Sequence, residues 1–153
     1  MQDQATMLQS AETAPLMVEA TPLGVRAALA EMKARFGTPL PESASLGMAE
    51  TVLAEVLNNI VEHAYGPTSP GPIELRMHRS DLRLSIDVRD YGVPMPGEKL
   101  PEGGLPGDDV LTEAPSEGGY GWFLIRSFAR NIEYRREGDQ NRLSFVVPLQ
   151  EEH

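Results

Sequence analysis

The chain contains no cysteine. Disulfide staples and thiolate metal sites are thereby excluded, and redox chemistry gives no hint of the compartment. Cations are scarce: 13 Lys and Arg stand against 23 Asp and Glu, a formal net charge of −10. A duplex-binding surface needs the opposite sign, so direct nucleic-acid binding is not expected, whereas a basic patch on a protein partner would be attracted. No apolar run approaches the length of a membrane span, and no basic stretch followed by an apolar core opens the chain. Neither a membrane nor an export leader is therefore expected, and the expected location is cytoplasmic. Residues 1–15 are polar and carry no positive side chain, as suits a flexible N-terminal arm. The remainder is ordinary: 41% apolar and 24% charged residues in a chain of 153 imply one domain, over residues 16–150, with enough core to fold alone.

Periodicity places the elements. Leu16–Ala20 reads as a short first strand. Thr21-Pro22 reads as an N-cap and first helical position, Val25, Leu29, Met32 and Phe36 recur at helical spacing, and Gly37 suits the stop. In a second helix the pairs Val52/Leu53, Val56/Leu57 and Ile60/Val61 repeat every four residues up to Gly66-Pro67. Ile73–His78 and Leu82–Val88 alternate apolar and polar residues as half-buried strands do. Residues 93–118 are rich in Pro and Gly and read as a long loop, which inside a compact domain is usually functional. Trp122–Ala129 reads as a third helix with Gly121 near its start. Ile132–Arg136 and Leu143–Leu149 read as a closing hairpin around residues 137–141. Trp122, Phe123 and Phe128 are assigned to the core. The predicted fold is α+β, a two-layer α/β sandwich whose sheet is mixed but mostly antiparallel, with helices on one face.

Three local patterns carry chemistry. The first is Glu55-Val-Leu-Asn-Asn-Ile-Val-Glu-His-Ala-Tyr65. On a continuous helix, Glu55, Asn59 and His63 lie on one face. An amide oxygen such as that of Asn59 is a hard ligand suited to Mg²⁺, and the Glu55 carboxylate one turn earlier can accept a proton from an attacking hydroxyl. Two adjacent asparagines are poor helix formers, which itself asks for a reason. The second pattern, Asp90-Tyr-Gly92, ends a strand. It is either an ordinary Asp-x-Gly turn or a base-binding site, in which Asp90 accepts from an exocyclic amino group and Gly92 lets the base approach the backbone. The third, Glu117-Gly-Gly-Tyr-Gly121, is either a hinge or a phosphate cradle built by glycines ahead of a helix. A carboxylate, an amide, an Asp-x-Gly loop and a glycine-rich turn, in this order, are the parts that hold a nucleotide and its Mg²⁺. Met95 stands where it can line such a pocket.

As a set, these motifs resemble the GHKL-type (Bergerat-fold) ATPases over residues 16–150. The first block resembles their N box, Asp90-Tyr-Gly92 their first glycine box, and Gly119-Tyr-Gly121 their second. Within that superfamily, size, the Asn-x-x-x-His-Ala-Tyr ending at Tyr65 and the Glu-Gly-Gly-Tyr-Gly-Trp-Phe-Leu-Ile run to Ile125 are similar to the small bacterial anti-sigma-factor serine kinases. The resemblance implies binding of ATP and Mg²⁺, phosphorylation of a serine on a STAS-type anti-anti-sigma partner, sequestration of a sigma factor, and a homodimer. It assigns Glu55 as general base, Asn59 as magnesium ligand and His63 to the phosphates. Asp90 goes to adenine with Gly92 beneath the base, and Gly118, Gly119, Tyr120 and Gly121 go to the phosphates. Residues 93–118 become an ATP lid. The family also favours a Thr on the late strand near adenine, for which Ser144 is the nearest candidate here. Between Lys99 and Arg126 no Lys or Arg occurs, so the glycine end of the lid offers no cation for a γ-phosphate. That departure keeps a second reading open: a nucleotide-binding regulatory module that acts by capturing a protein partner. A histidine-kinase catalytic domain acting in trans, and an α/β interaction domain without nucleotide, are the remaining alternatives.

Overall fold

The computed structural model describes residues 14–37, 40–66, 68–102 and 117–150, with the backbone alone at 117–120. Most of the N-terminal arm and the middle of the expected lid lie outside the described residues. Five strands form one sheet in the order β1-β2-β3-β5-β4. They are β1 (Leu16–Glu19), β2 (Pro72–Ser80), β3 (Arg83–Asp90), β4 (Arg130–Glu137) and β5 (Gln140–Pro148). The helices are α1 (Pro22–Phe36), α2 (Gly47–Asn59) and α3 (Glu117–Phe128).

Every described pairing is antiparallel, which corrects the expectation of a mixed sheet. The connection from β3 through α3 to β4 does run between two parallel strands. However, β5 lies between them and pairs with both in the antiparallel sense. Alternation does the rest. Ile73, Leu75 and Met77 of β2, Leu84, Ile86 and Val88 of β3, and Leu143, Phe145 and Val147 of β5 all point to one buried face. The helices cover that face through Val25, Met32 and Phe36 of α1, Val52, Leu53, Val56 and Leu57 of α2, and Trp122 and Ile125 of α3. The core assignment of Trp122 thus holds, with 2% of its surface exposed. Thr21 caps α1 as its sequence position implies, its Oγ1 accepting from Gly24 N at 3.0 Å. Among the described residues no helix is long and apolar enough to cross a membrane.

Two helix boundaries differ from the periodicity reading, and both fall on the motifs. The second helix is not uniform to Tyr65. α2 stops at Asn59, and Ile60–Tyr65 continues as a π-helical turn. The turn closes by a bond from Gly66 N to Val61 O, five residues back, at 3.0 Å. Its apolar residues Ile60 and Val61 stay buried, so the hydrophobic pattern cannot register the change of pitch. The third helix starts five residues earlier than expected, at Glu117 rather than Trp122, so Gly118, Gly119 and Gly121 belong to its opening turns instead of preceding it. Glycine is the poorest non-proline helix former, which is why the sequence pattern hides this start. The expected loop also holds a short 3-10 turn, Pro96–Glu98.

Candidate functional site

α2 with its π-helical turn, the end of β3 and the start of α3 meet around a cavity of about 760 Å³. Asn59, Glu62, His63 and Ala64 line one side, Asp90, Asn141 and Leu143 another, and Val93 to Pro96, Pro101, Trp122 and Tyr134 the rest. The cavity is of a size that encloses a nucleotide-sized ligand, and its walls are mostly apolar with a few convergent polar groups. Four of the residues singled out in sequence, Asn59, His63, Asp90 and Met95, therefore share one wall system.

At the end defined by β3, Asp90 is a buried carboxylate. Its Oδ1 accepts from Gly92 N at 2.9 Å and from Asn141 Nδ2 at 2.9 Å. Among the described residues no donor reaches Oδ2. Burial pushes the Asp90 pKa up. The Asn141 and Gly92 hydrogen bonds and the Arg136 guanidinium pull the other way without cancelling it. Asn141 is buried too and holds this corner together. Its amide nitrogen also donates to Val93 O at 2.9 Å, and its Oδ1 accepts from Tyr134 Oη at 2.7 Å and Arg136 Nη1 at 3.2 Å. Arg136 Nη1 donates to Gly92 O at 2.6 Å, and Met95 N donates to Tyr134 Oη at 3.0 Å.

This network was missed in the sequence. Residues 137–141 read as a turn, but the hairpin loop is only Gly138-Asp139, and Asn141 already stands in β5 directly across from Asp90. Ser144, the candidate for the late-strand hydroxyl, pairs with Asp87 and faces a different groove on the helix-free side of the sheet. The period of two makes this strict: Asn141 and Ser144 stand three positions apart, an odd offset, so they project to opposite faces. Gly92 also makes a close approach within the fold. A Cβ there would lie 2.3 Å from the Ala64 carbonyl oxygen, and Val93 N donates to the same oxygen at 2.8 Å. The missing side chain is needed for the π-helical turn to pack against the loop.

At the other end, Glu55 is half-buried on α2 and abuts α3. A Cβ on Gly121 would lie 2.6 Å from Glu55 Oε2. The first and third motifs are thus in contact. Burial, then the neighbouring Glu62 charge, raises the Glu55 pKa. Neither Glu55 nor Asn59 has a hydrogen-bond partner for its side chain among the described residues. His63 lies past the change of pitch, so the three side chains do not form one straight row. It is exposed at the cavity rim, 3.8 Å from Glu62. Gly118, Gly119 and the backbone of Tyr120 sit in the opening turn of α3, while the Tyr120 side chain lies outside the described residues. Among the described residues none that lines the cavity is Lys or Arg. Arg126, the first cation after the lid, bonds Pro101 O through its Nε at 2.9 Å. No group of three or more acidic, His or Cys side chains that could hold a metal occurs among the described residues.

A Mg²⁺ fits this donor set in one way. The unengaged Asn59 amide would contribute one ligand, and a nucleotide's phosphates with water would contribute the rest, the usual habit of magnesium. The unengaged Oδ2 of Asp90 likewise suits a single donor on a base.

The histidine kinase-like ATPase domain model matches residues 16–147 of the chain. The serine/threonine-protein kinase BtrW of Bordetella bronchiseptica is 33% identical over 106 residues, covering 68% of this chain and 72% of that protein. A crystal structure of the RsbU and RsbW domains of Rv1364c from Mycobacterium tuberculosis superposes with a TM-score of 0.57 at 16% identity. It covers 92% of this chain, which spans about a third (34%) of that larger one. At that identity the likeness speaks for the fold.

Proposed function

The chain belongs to the histidine kinase-like ATPase family, and from that membership and its likeness to the serine/threonine-protein kinase BtrW we propose that it is an ATP-dependent serine kinase and anti-sigma factor. Its substrate in this reading is a serine on a STAS-type anti-anti-sigma protein, and its second partner is a sigma factor, so that phosphorylation switches the partner it holds. The observation that carries the reading is the meeting of Asn59, His63 and Asp90 on one 760 Å³ cavity with Glu55 beside it. The kinase name of the relative supports the same direction.

The chemistry divides among the residues. Asp90 Oδ2 accepts from the adenine amino group, and the apolar wall including Met95 and Trp122 excludes water from the base. The peptide groups of Gly118, Gly119, Tyr120 and Gly121, at the start of α3, and His63 at the rim face the phosphates. Asn59 would hold Mg²⁺, which would neutralise phosphate charge. The Glu55 carboxylate takes the proton of the serine hydroxyl as its oxygen bonds to the terminal phosphorus and the bond to the ADP oxygen breaks. A carboxylate whose pKa is raised by burial is a stronger base for that task than a solvated one. Positioning and charge neutralisation supply most of the acceleration. Met17 on β1 and Leu23 on α1 are 60% and 73% exposed and give two copies an apolar place to meet, in support of a homodimer. A cytoplasmic location follows from the same reading.

One observation favours the alternative of a capture module: among the described residues no Lys or Arg lines the cavity. A titration with a fluorescent ATP analogue, with and without Mg²⁺, separates the readings when paired with a transfer assay on a STAS-type substrate. Magnesium-dependent binding that is lost in Asn59→Ala and Asp90→Asn, with serine phosphorylation, supports the kinase. Binding of the protein partner without transfer supports capture, and no nucleotide binding at millimolar concentration rejects the kinase.

A further inference from the structure

Tyr65 joins three segments that the sequence keeps apart. It is the last residue of the π-helical turn. Its hydroxyl accepts from Tyr91 N at 2.8 Å, in the loop after β3, and donates to the carbonyl of Pro72, the first residue of β2. Its ring lies so close to Gly71 that a Cβ there would stand 2.5 Å from Cε1. One residue earlier, Ala64 O takes Val93 N. The turn that carries His63 and follows Asn59 is therefore riveted to the segment that follows Asp90. Of the rivets, only the phenol also reaches β2, whose second residue, Ile73, pairs with Asp90. The 91–95 segment has independent holds on its far side, from Tyr134, Asn141 and Arg136.

We propose that Tyr65 is a positioning residue that fixes the spacing between the two ends of the cavity, the Asn59–His63 end and the Asp90 end, by the two hydrogen bonds of its hydroxyl. The inference rests on the nucleotide reading above and deepens it. A ligand that touches both ends gains from the second contact only as far as the first places it correctly, so the spacing enters its affinity as an effective concentration. A ligand confined to one end does not feel the spacing. Burial, then the Asp90 and Tyr91 charges, raises the Tyr65 pKa against the opposing Tyr91 hydrogen bond, so the phenol stays protonated and keeps its donor at neutral pH.

The test compares Mg·ATP, which spans both ends, with adenosine, which occupies one, in wild type and Tyr65→Phe by calorimetric titration. The substitution keeps the ring against Gly71 and removes only the hydroxyl. Affinity for Mg·ATP should fall roughly tenfold, the size of a lost hydrogen-bond pair, while affinity for adenosine stays within about twofold. Equal losses for the two ligands, or no loss for either, overturn the proposal, the first because it marks a general loosening of the fold. Thermal melting of both proteins shows whether such loosening accompanies the change. A wild type that binds neither ligand sinks the nucleotide reading and this inference together. A wild type that binds both, beside an unchanged Tyr65→Phe, sinks this inference alone.

Discussion

The two ends of the cavity are built on opposite plans. At the Asp90 end nearly every polar group already has a partner: Asn141 alone serves Asp90, Val93, Tyr134 and Arg136. At the Glu55–Asn59 end neither side chain has a hydrogen-bond partner among the described residues. The first end is cross-braced by these bonds and leaves one acceptor, Asp90 Oδ2, without a donor among the described residues. The second holds its polar groups in reserve. The hydrogen bonds are concentrated at the first end, and the second carries side chains without partners among the described residues. The contrast teaches where damage should show: in stability at one end, in catalysis at the other.

Four measurements test that division, beginning with the largest effect. Glu55→Ala should lower phosphoryl transfer to a serine substrate by about 10² to 10⁴, the usual worth of a general base, with nucleotide affinity within about threefold. A single-turnover transfer assay reads it, and a variant with full activity would remove Glu55 from the chemistry. Asn141→Ala should cost roughly 2–4 kcal/mol of stability in urea denaturation, since it strands the buried Asp90 carboxylate and three partly buried bonds at once. A loss below about 1 kcal/mol would show that water replaces the network and that the first end is not rigid. Asn59→Ala should do the reverse. Its stability should hold or rise by roughly 0.5 kcal/mol, because Ala is the better helix former, while the gain in nucleotide affinity on adding Mg²⁺ disappears.

The smallest effect concerns pH. The Asp90 pKa is raised in the fold, so between its ordinary and its raised value the folded protein holds a proton that the unfolded chain lacks. Ionised Asp90 therefore costs stability above that window, and acidification through it relieves the cost. The same protonation removes the acceptor and weakens binding of an amino-bearing base. Compared with Asp90→Asn, wild type should thus gain in melting temperature and lose nucleotide affinity as pH falls through the window. Parallel pH curves for the two proteins would contradict the shift.

Legibility in the sequence followed how local each feature is. The helix and strand spans show because apolar spacing is a property of neighbours, and the three motifs show because each is complete within about ten residues. Thr21 and its cap show for the same reason. Asn141 was hidden because its meaning lies 51 residues away, on the opposite strand, and because a two-residue hairpin at Gly138-Asp139 was read as a longer turn. The register of β3 with β5 decides between Asn141 and Ser144, and no local pattern states a register. The π-helical turn was hidden because Ile60 and Val61 are buried at either pitch. The start of α3 was hidden because three glycines argue against a helix that tertiary contact with Glu55 nonetheless supports.

The place of β5 has a consequence for the order of assembly. It follows both β3 and β4 in the chain, yet it occupies the slot between them. A ribosome therefore releases Asp90 and both flanking strands before it releases the strand that completes their pairing. Until β5 inserts, β3 and β4 each present an unpaired edge, Asp90 lacks its Asn141 partner, and the cavity lacks one wall. Closing that gap is a non-local step of the kind that slows folding. The Asp90–Asn141 corner therefore forms only after β5 has been made and inserted, later than the strands that flank it.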